Sequence, residues 1–88
     1  MARFLAEHKL PYSTEAELLE FAKLMTPKVP AGFSWKLTYC DFSTHKFLCE
    51  WEAPSKEGIE EAMKANNVPF DAIYPAKVFN PAKMGFED

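Results

Sequence analysis

The stretch FSWKLTYCDFSTHKFLCEWEAPSKEGIEEAM, residues 33 to 63, decides the fold. Phe33, Trp35, Leu37 and Tyr39 share one parity, and after them Phe47, Cys49 and Trp51 share another, with Leu48 and Glu50 between. Alternation at period two, rich in aromatic residues, is the signature of a strand. Ser43-Thr44 sits between the two runs and predicts a turn, although it lacks glycine. The pair therefore reads as a hairpin. Pro54-Ser55 then opens a helix, with Ser55 as N-cap. Ile59, Ala62 and Met63 supply its apolar stripe, and Glu60 with Lys64 forms an i,i+4 pair. ANNVPFD ends it, Asn66 or Asn67 being suited to a left-handed cap.

Working outward, ARFLAEHK (2 to 9) places Phe4, Ala6 and His8 on one parity and Arg3, Leu5 and Glu7 on the other, which predicts a strand. Thr14 and Glu17 have capping-box spacing. Leu18, Phe21, Ala22 and Met25 follow as a helical stripe that Pro27 stops. PKVPAG is a loop. AIYPAKVF (72 to 79) reads as a fourth strand, with Pro75 placing it at a sheet edge. Residues 80 to 88 form an extension or arm beyond a single domain of residues 2 to 79.

The order β-α-β-β-α-β is the split-βαβ, ferredoxin-like pattern of an α+β protein. Right-handed crossovers give a four-stranded antiparallel sheet of order 4-1-3-2 with both helices on one face. The other face is left bare, yet both parities of the strands carry large apolar groups. A second copy of the chain is the simplest cover, so a homodimer is expected.

Composition agrees. Of 88 residues, 48% are apolar and 15% aromatic, more than one small core readily hides. The net charge of −3 is spread without a basic patch, which argues against nucleic-acid binding. No apolar run approaches the roughly 20 residues needed to span a bilayer. MARFLAEHKLPY is too polar and alternating for a signal peptide. The expected location is the cytoplasm, with two cysteines as thiols.

On RFLAEHKLP, FSWKLTYCD and, above all, KFLCEWEAPSKEGIEEAMKANNVPFDAIYPA, the chain resembles a family of small bacterial and archaeal proteins. The characterised member of that family is a nickel-binding protein from actinobacteria. The shared pattern is an aromatic before the cysteine, an aromatic before EAP, a helix, then P-x-D-x-I, and it covers residues 2 to 79. NPAKMGFED lies outside it. The resemblance implies a dimeric ferredoxin-like fold that buries the open sheet face, and a bound transition metal.

Geometry, rather than the resemblance, selects the donors. In the expected sheet the end of strand one, the hairpin and the start of strand four meet at one edge, which brings together His8, Asp41, His45 and Asp71. Two imidazoles and two carboxylates suit nickel, zinc or a similar divalent ion. Glu7, Cys40 and Glu50 stand in second rank. Glu7 and Glu50 would face a dimer interior, where they must be paired or metal-bound. The competing reading is that these are solvated loop-end residues. Cys49, between Phe47 and Trp51, reads as a small buried hydrophobe, since no nearby cation would stabilise a thiolate.

Trp35, Tyr39, Phe47, Cys49, Trp51 and Tyr74 define an alternative, a small-molecule pocket inside a dimeric barrel. Small dimeric ferredoxin-like proteins include cofactor-free monooxygenases, and a cavity of about 300 Å3 would favour that reading. A structural or interaction domain is the third. No phosphate loop or catalytic triad is present in the sequence, and no catalytic residue is assigned. The leading expectation is a non-catalytic, homodimeric, nickel-type metal-binding protein.

Overall fold

The computed structural model describes residues 2 to 87. Strand β1 (Ala2–Lys9) leads into helix α1 (Glu15–Met25) and a short 3-10 turn, followed by β2 (Ser34–Asp41) and β3 (Lys46–Ala53). Helix α2 (Lys56–Ala65) and β4 (Ala72–Pro75) complete the pattern. The antiparallel sheet has the order β2-β3-β1-β4. This is the expected 4-1-3-2 arrangement read from the other side.

Local chemistry sets each helix end. Thr14 Oγ1 accepts from Glu17 N at 3.2 Å, and Glu17 Oε1 accepts from Ser13 N at 2.9 Å. The capping box therefore reaches back one residue further than its usual form. Ser55 Oγ accepts from Gly58 N at 3.0 Å and caps α2. Asn67 ends that helix at φ 57°, the left-handed conformation that asparagine tolerates. The Glu60–Lys64 pair does not close into an ion pair; α2 is held by its buried face instead, through Ile59 and Met63. Helix α1 buries no residue completely.

The core lies between the helices and one face of the sheet. It contains Phe4, Ala6, Cys49, Trp51, Ala53, Ile59, Met63 and Ile73, with Val29, Phe33, Trp35, Val68 and Phe70 packed against it.

Two expectations require correction. Strand β2 does not keep one parity, because a bulge lies between Trp35, opposite Trp51, and Leu37, opposite Glu50. The extra residue, Lys36, reverses the alternation. Trp35 turns inward and stacks on Trp51, with ring centroids 6.1 Å apart and planes at 13°. Leu37 and Tyr39 turn outward, and Phe33 falls before the strand.

The fourth strand does not run from 72 to 79. It leaves the sheet after Ala76 N donates to Arg3 O at 3.0 Å. Residues β5 (Val78–Asn80) and β6 (Gly85–Glu87) then pair with each other in a separate two-stranded sheet.

Candidate metal centre

The edge where donors were expected to gather is built by the end of β1, the β2–β3 turn and the entry to β4. His8 lies opposite Phe47 on β1, and Asp41 opposite Lys46 on β2. Asp71 N donates to Glu7 O at 2.7 Å and ties the β4 entry to β1. A groove of about 450 Å3 at this edge is lined by Glu7, His8, Cys40, Asp41 and Asp71, along with Tyr39, Lys46 and Tyr74. Five of the seven candidate donors thus share one groove; His45 and Glu50 lie outside it. Among the described residues, no three His, Cys, Asp or Glu side chains come together closely enough to hold an ion.

Both imidazoles are anchored to backbone carbonyls. His8 is 3% exposed, and its Nδ1 lies 2.7 Å from Pro69 O. A carbonyl can only accept, so Nδ1 carries the proton and Nε2 presents the lone pair. Burial lowers the His8 pKa, against the opposing effects of the Pro69 carbonyl and Asp71. The ring is therefore neutral at pH 7. His45 Nδ1 likewise lies 3.2 Å from Tyr12 O, and donates to it. It sits in the hairpin turn at φ 59°. Anchoring one ring nitrogen to a carbonyl is the usual way to orient a ligating imidazole.

Three of the four candidate acids, Asp41, Glu7 and Glu50, are already engaged. Asp41 accepts from Ser43 Oγ at 2.6 Å and from Thr44 Oγ1 at 2.8 Å, and these bonds hold its carboxyl below the usual range. Glu7 accepts from Tyr74 Oη at 2.6 Å. Glu50 lies 3.0 Å from Arg3 Nε. The two glutamates that needed partners on the open face have them within their own chain.

The cysteines differ in setting. Cys49 is buried, and Cys40 is exposed. Thr38 Oγ1 lies 3.1 Å from Cys49 Sγ and accepts from Trp35 Nε1 at 2.8 Å. Burial pushes the Cys49 thiol up to about 11, partly offset by Thr38. Burial and the nearby Glu15 also raise the Cys40 pKa. Neither environment favours a thiolate.

The aromatic set of the alternative pocket is divided between the two sides of the sheet. Trp35, Phe47, Cys49 and Trp51 face the helices, whereas Tyr39 and Tyr74 are exposed on the other side. The apolar cleft beneath the helices, lined by His8, Phe21, Met25, Trp35, Cys49 and Trp51, holds about 60 Å3. That is well below the roughly 300 Å3 of ordinary small-molecule sites. Sequence reasoning missed this cleft because the bulge that swings Trp35 into it leaves no mark on the alternation pattern.

Comparison with known proteins settles the ancestry of this scaffold. The sequence model of the nickel responsive protein SCO4226-like family matches residues 4 to 75. The chain belongs to that family. The crystal structure of SCO4226 from Streptomyces coelicolor A3(2) is similar, with a TM-score of 0.68 at 19% identity. The similarity covers 85% of this chain and 95% of that one, and at such identity it speaks for the shared fold. No curated protein matches the chain. The family match ends at the last residue of β4, so the β5–β6 hairpin lies outside it. Among the described residues no helix is long and apolar enough to cross a membrane.

Proposed function

We propose that the protein is a cytoplasmic, non-catalytic homodimer that binds nickel or a similar divalent transition ion. The carrying observation is the groove that gathers Glu7, His8, Cys40, Asp41 and Asp71 at one edge of the sheet, with Glu7 and Asp41 on the uncovered side and the His8 ring on the side of the helices. Among the described residues one protomer brings no three donors within reach of one ion. Closure of the groove by a second copy supplies the remaining coordination. Membership of a family described as nickel responsive supports the choice of metal, and neutral imidazole with carboxylate is a donor set that nickel accepts. His8 and Asp71 are the first ligands in this reading, with Asp41 and His45 beside them.

Nickel titration by calorimetry, with metal content measured on the purified protein, tests the proposal. The intact protein should bind nickel with micromolar or tighter affinity. His8→Ala and His45→Ala should each weaken it by about tenfold or more. Unchanged affinity in both variants removes the site from this edge, and an intact protein that takes up no metal removes the function.

A further inference from the structure

The hairpin that follows the family fold is an unusual appendage for a chain of this size. Its strands are three residues each and pair only with one another. An isolated two-stranded hairpin is marginally stable in water. This one also carries its apolar groups outward. Phe79 is 48% exposed, Phe86 68% and Met84 79%. Phe79 and Phe86 are cross-strand partners on one face of the hairpin, with ring centroids 5.3 Å apart.

The hairpin lies at the uncovered sheet face, at the end remote from the donor groove. Between it and the sheet runs a groove of about 570 Å3 bordered by Ala2, Arg3, Glu52, Ala76, Lys77 and Phe86. Arg3 and Glu52 belong to that uncovered face. The apolar arm is thus continuous with the surface assigned above to the dimer.

We propose that the β5–β6 hairpin is a dimerisation clasp that lays Phe79, Met84 and Phe86 on the second copy of the chain. This rests on the homodimer reading above. Two observations select a second copy as the occupant.

The first is area. Strands about 4.8 Å apart and up to eight residues long give the open face a footprint of roughly 450 Å2. A stable interface takes about 800 Å2 from each partner. At the exposures given, the three hairpin side chains offer roughly 350 Å2 more. The second is charge. The open face and groove rim carry both signs, with Arg3, Lys9, Lys36, Lys46 and Lys77 interspersed with Glu7, Glu50 and Glu52. A surface that meets its own copy across a twofold axis must be self-complementary. One built for a nucleic acid or an acidic peptide would be single-signed.

Sedimentation equilibrium of the full-length protein tests this with Phe79→Ser/Phe86→Ser against the wild type. The paired serine variant should weaken self-association by about 30-fold or more, while its circular dichroism stays that of the wild type. Phe79→Leu/Phe86→Leu, which keeps apolar area, should recover most of the affinity. A wild type that dimerises while the serine variant dimerises equally well overturns the clasp and leaves the dimer standing. A wild type that stays monomeric at micromolar concentration overturns the dimer itself, and the clasp with it. Should the serine variant lose its fold, Met84→Ser in the exposed turn carries the same comparison, with an expected loss of about threefold or more, and an unchanged constant there counts against the clasp.

Discussion

The two faces of the sheet are made from the same strands and have opposite characters. Toward the helices, Phe4, Ala6, Phe47, Cys49, Trp51, Ala53 and Ile73 are all buried. Their polar content is small: the His8 imidazole on the Pro69 carbonyl, the Cys49 thiol under the Thr38 hydroxyl, and the buried Trp51 indole N–H. Away from the helices, Leu5, Leu48, Leu37, Tyr39 and Tyr74 stand among charges, of which Glu50 pairs with Arg3 and Glu7 accepts a hydrogen bond from the Tyr74 hydroxyl. The first face is a core. The second has too little apolar surface to be a core and too much pre-paired charge to be ordinary solvent-facing sheet. Such a face is suited to meeting another well-organised surface, since Arg3, Lys36, Glu50 and Glu52 already have partners when water leaves.

The largest expected difference between the faces is in stability. Phe47→Ala, on the covered face, should cost about 3–5 kcal/mol in denaturant unfolding. Leu48→Ala, one residue along on the open face, should cost below about 1 kcal/mol when measured on dilute protomer. Equal costs would erase the distinction.

Cys49 comes next. An unfolded thiol ionises near its ordinary 9.0, whereas the folded one holds its proton to about 11. Between those values the unfolded state binds fewer protons, so stability falls as pH rises, by ~2 kcal/mol at the upper end. A Cys49→Ala variant should lack that loss in pH-dependent unfolding. In the folded protein a thiol reagent should label Cys40 well before Cys49.

His8 gives the third effect, with the opposite slope. Its folded pKa lies below the ordinary 6.5, so the unfolded chain binds the extra proton first as the solution is acidified. Stability should drop as pH falls below 6.5, and His8→Gln should flatten that limb of the curve. The smallest effect is that of the Arg3–Glu50 pair, whose side chains are only 18% and 16% exposed. A double-mutant cycle with Arg3→Met and Glu50→Gln should give a coupling of about 1 kcal/mol. A zero value would make the pair an incidental contact.

Much of this was legible in the residues. β1, both helix caps, the stop at α2 and the strand order follow from alternation, capping chemistry and the handedness of crossovers. The parity of ARFLAEHK already places His8 with Phe4 and Ala6, which is the buried side. What could not be read was register. The bulge places Trp35 opposite Trp51 on the neighbouring strand, and such a cross-strand match is non-local. It carried Trp35 to one side and Tyr39 to the other, and so divided the aromatic set that the sequence presents as a single cluster. The departure after Ala76 is likewise non-local, since Val78 to Asn80 pair with Gly85 to Glu87 rather than with β1, and residues 76 to 79 do not reveal that choice by themselves. For the candidate site, topology brought five donors to one groove, but side-chain reach depends on turn conformations. Asp41 spends its oxygens on Ser43 and Thr44, a local commitment that spacing does not reveal.

The stacked indoles have a practical consequence for optical work. Trp35 and Trp51 are the two tryptophans of the chain, and they lie ring on ring beneath the helices. Intrinsic fluorescence therefore reports from a single location, screened by the sheet from both the uncovered face and the hairpin. An emission change upon adding nickel or diluting the sample would signify that the event at the surface has been transmitted through the β-layer to the interior.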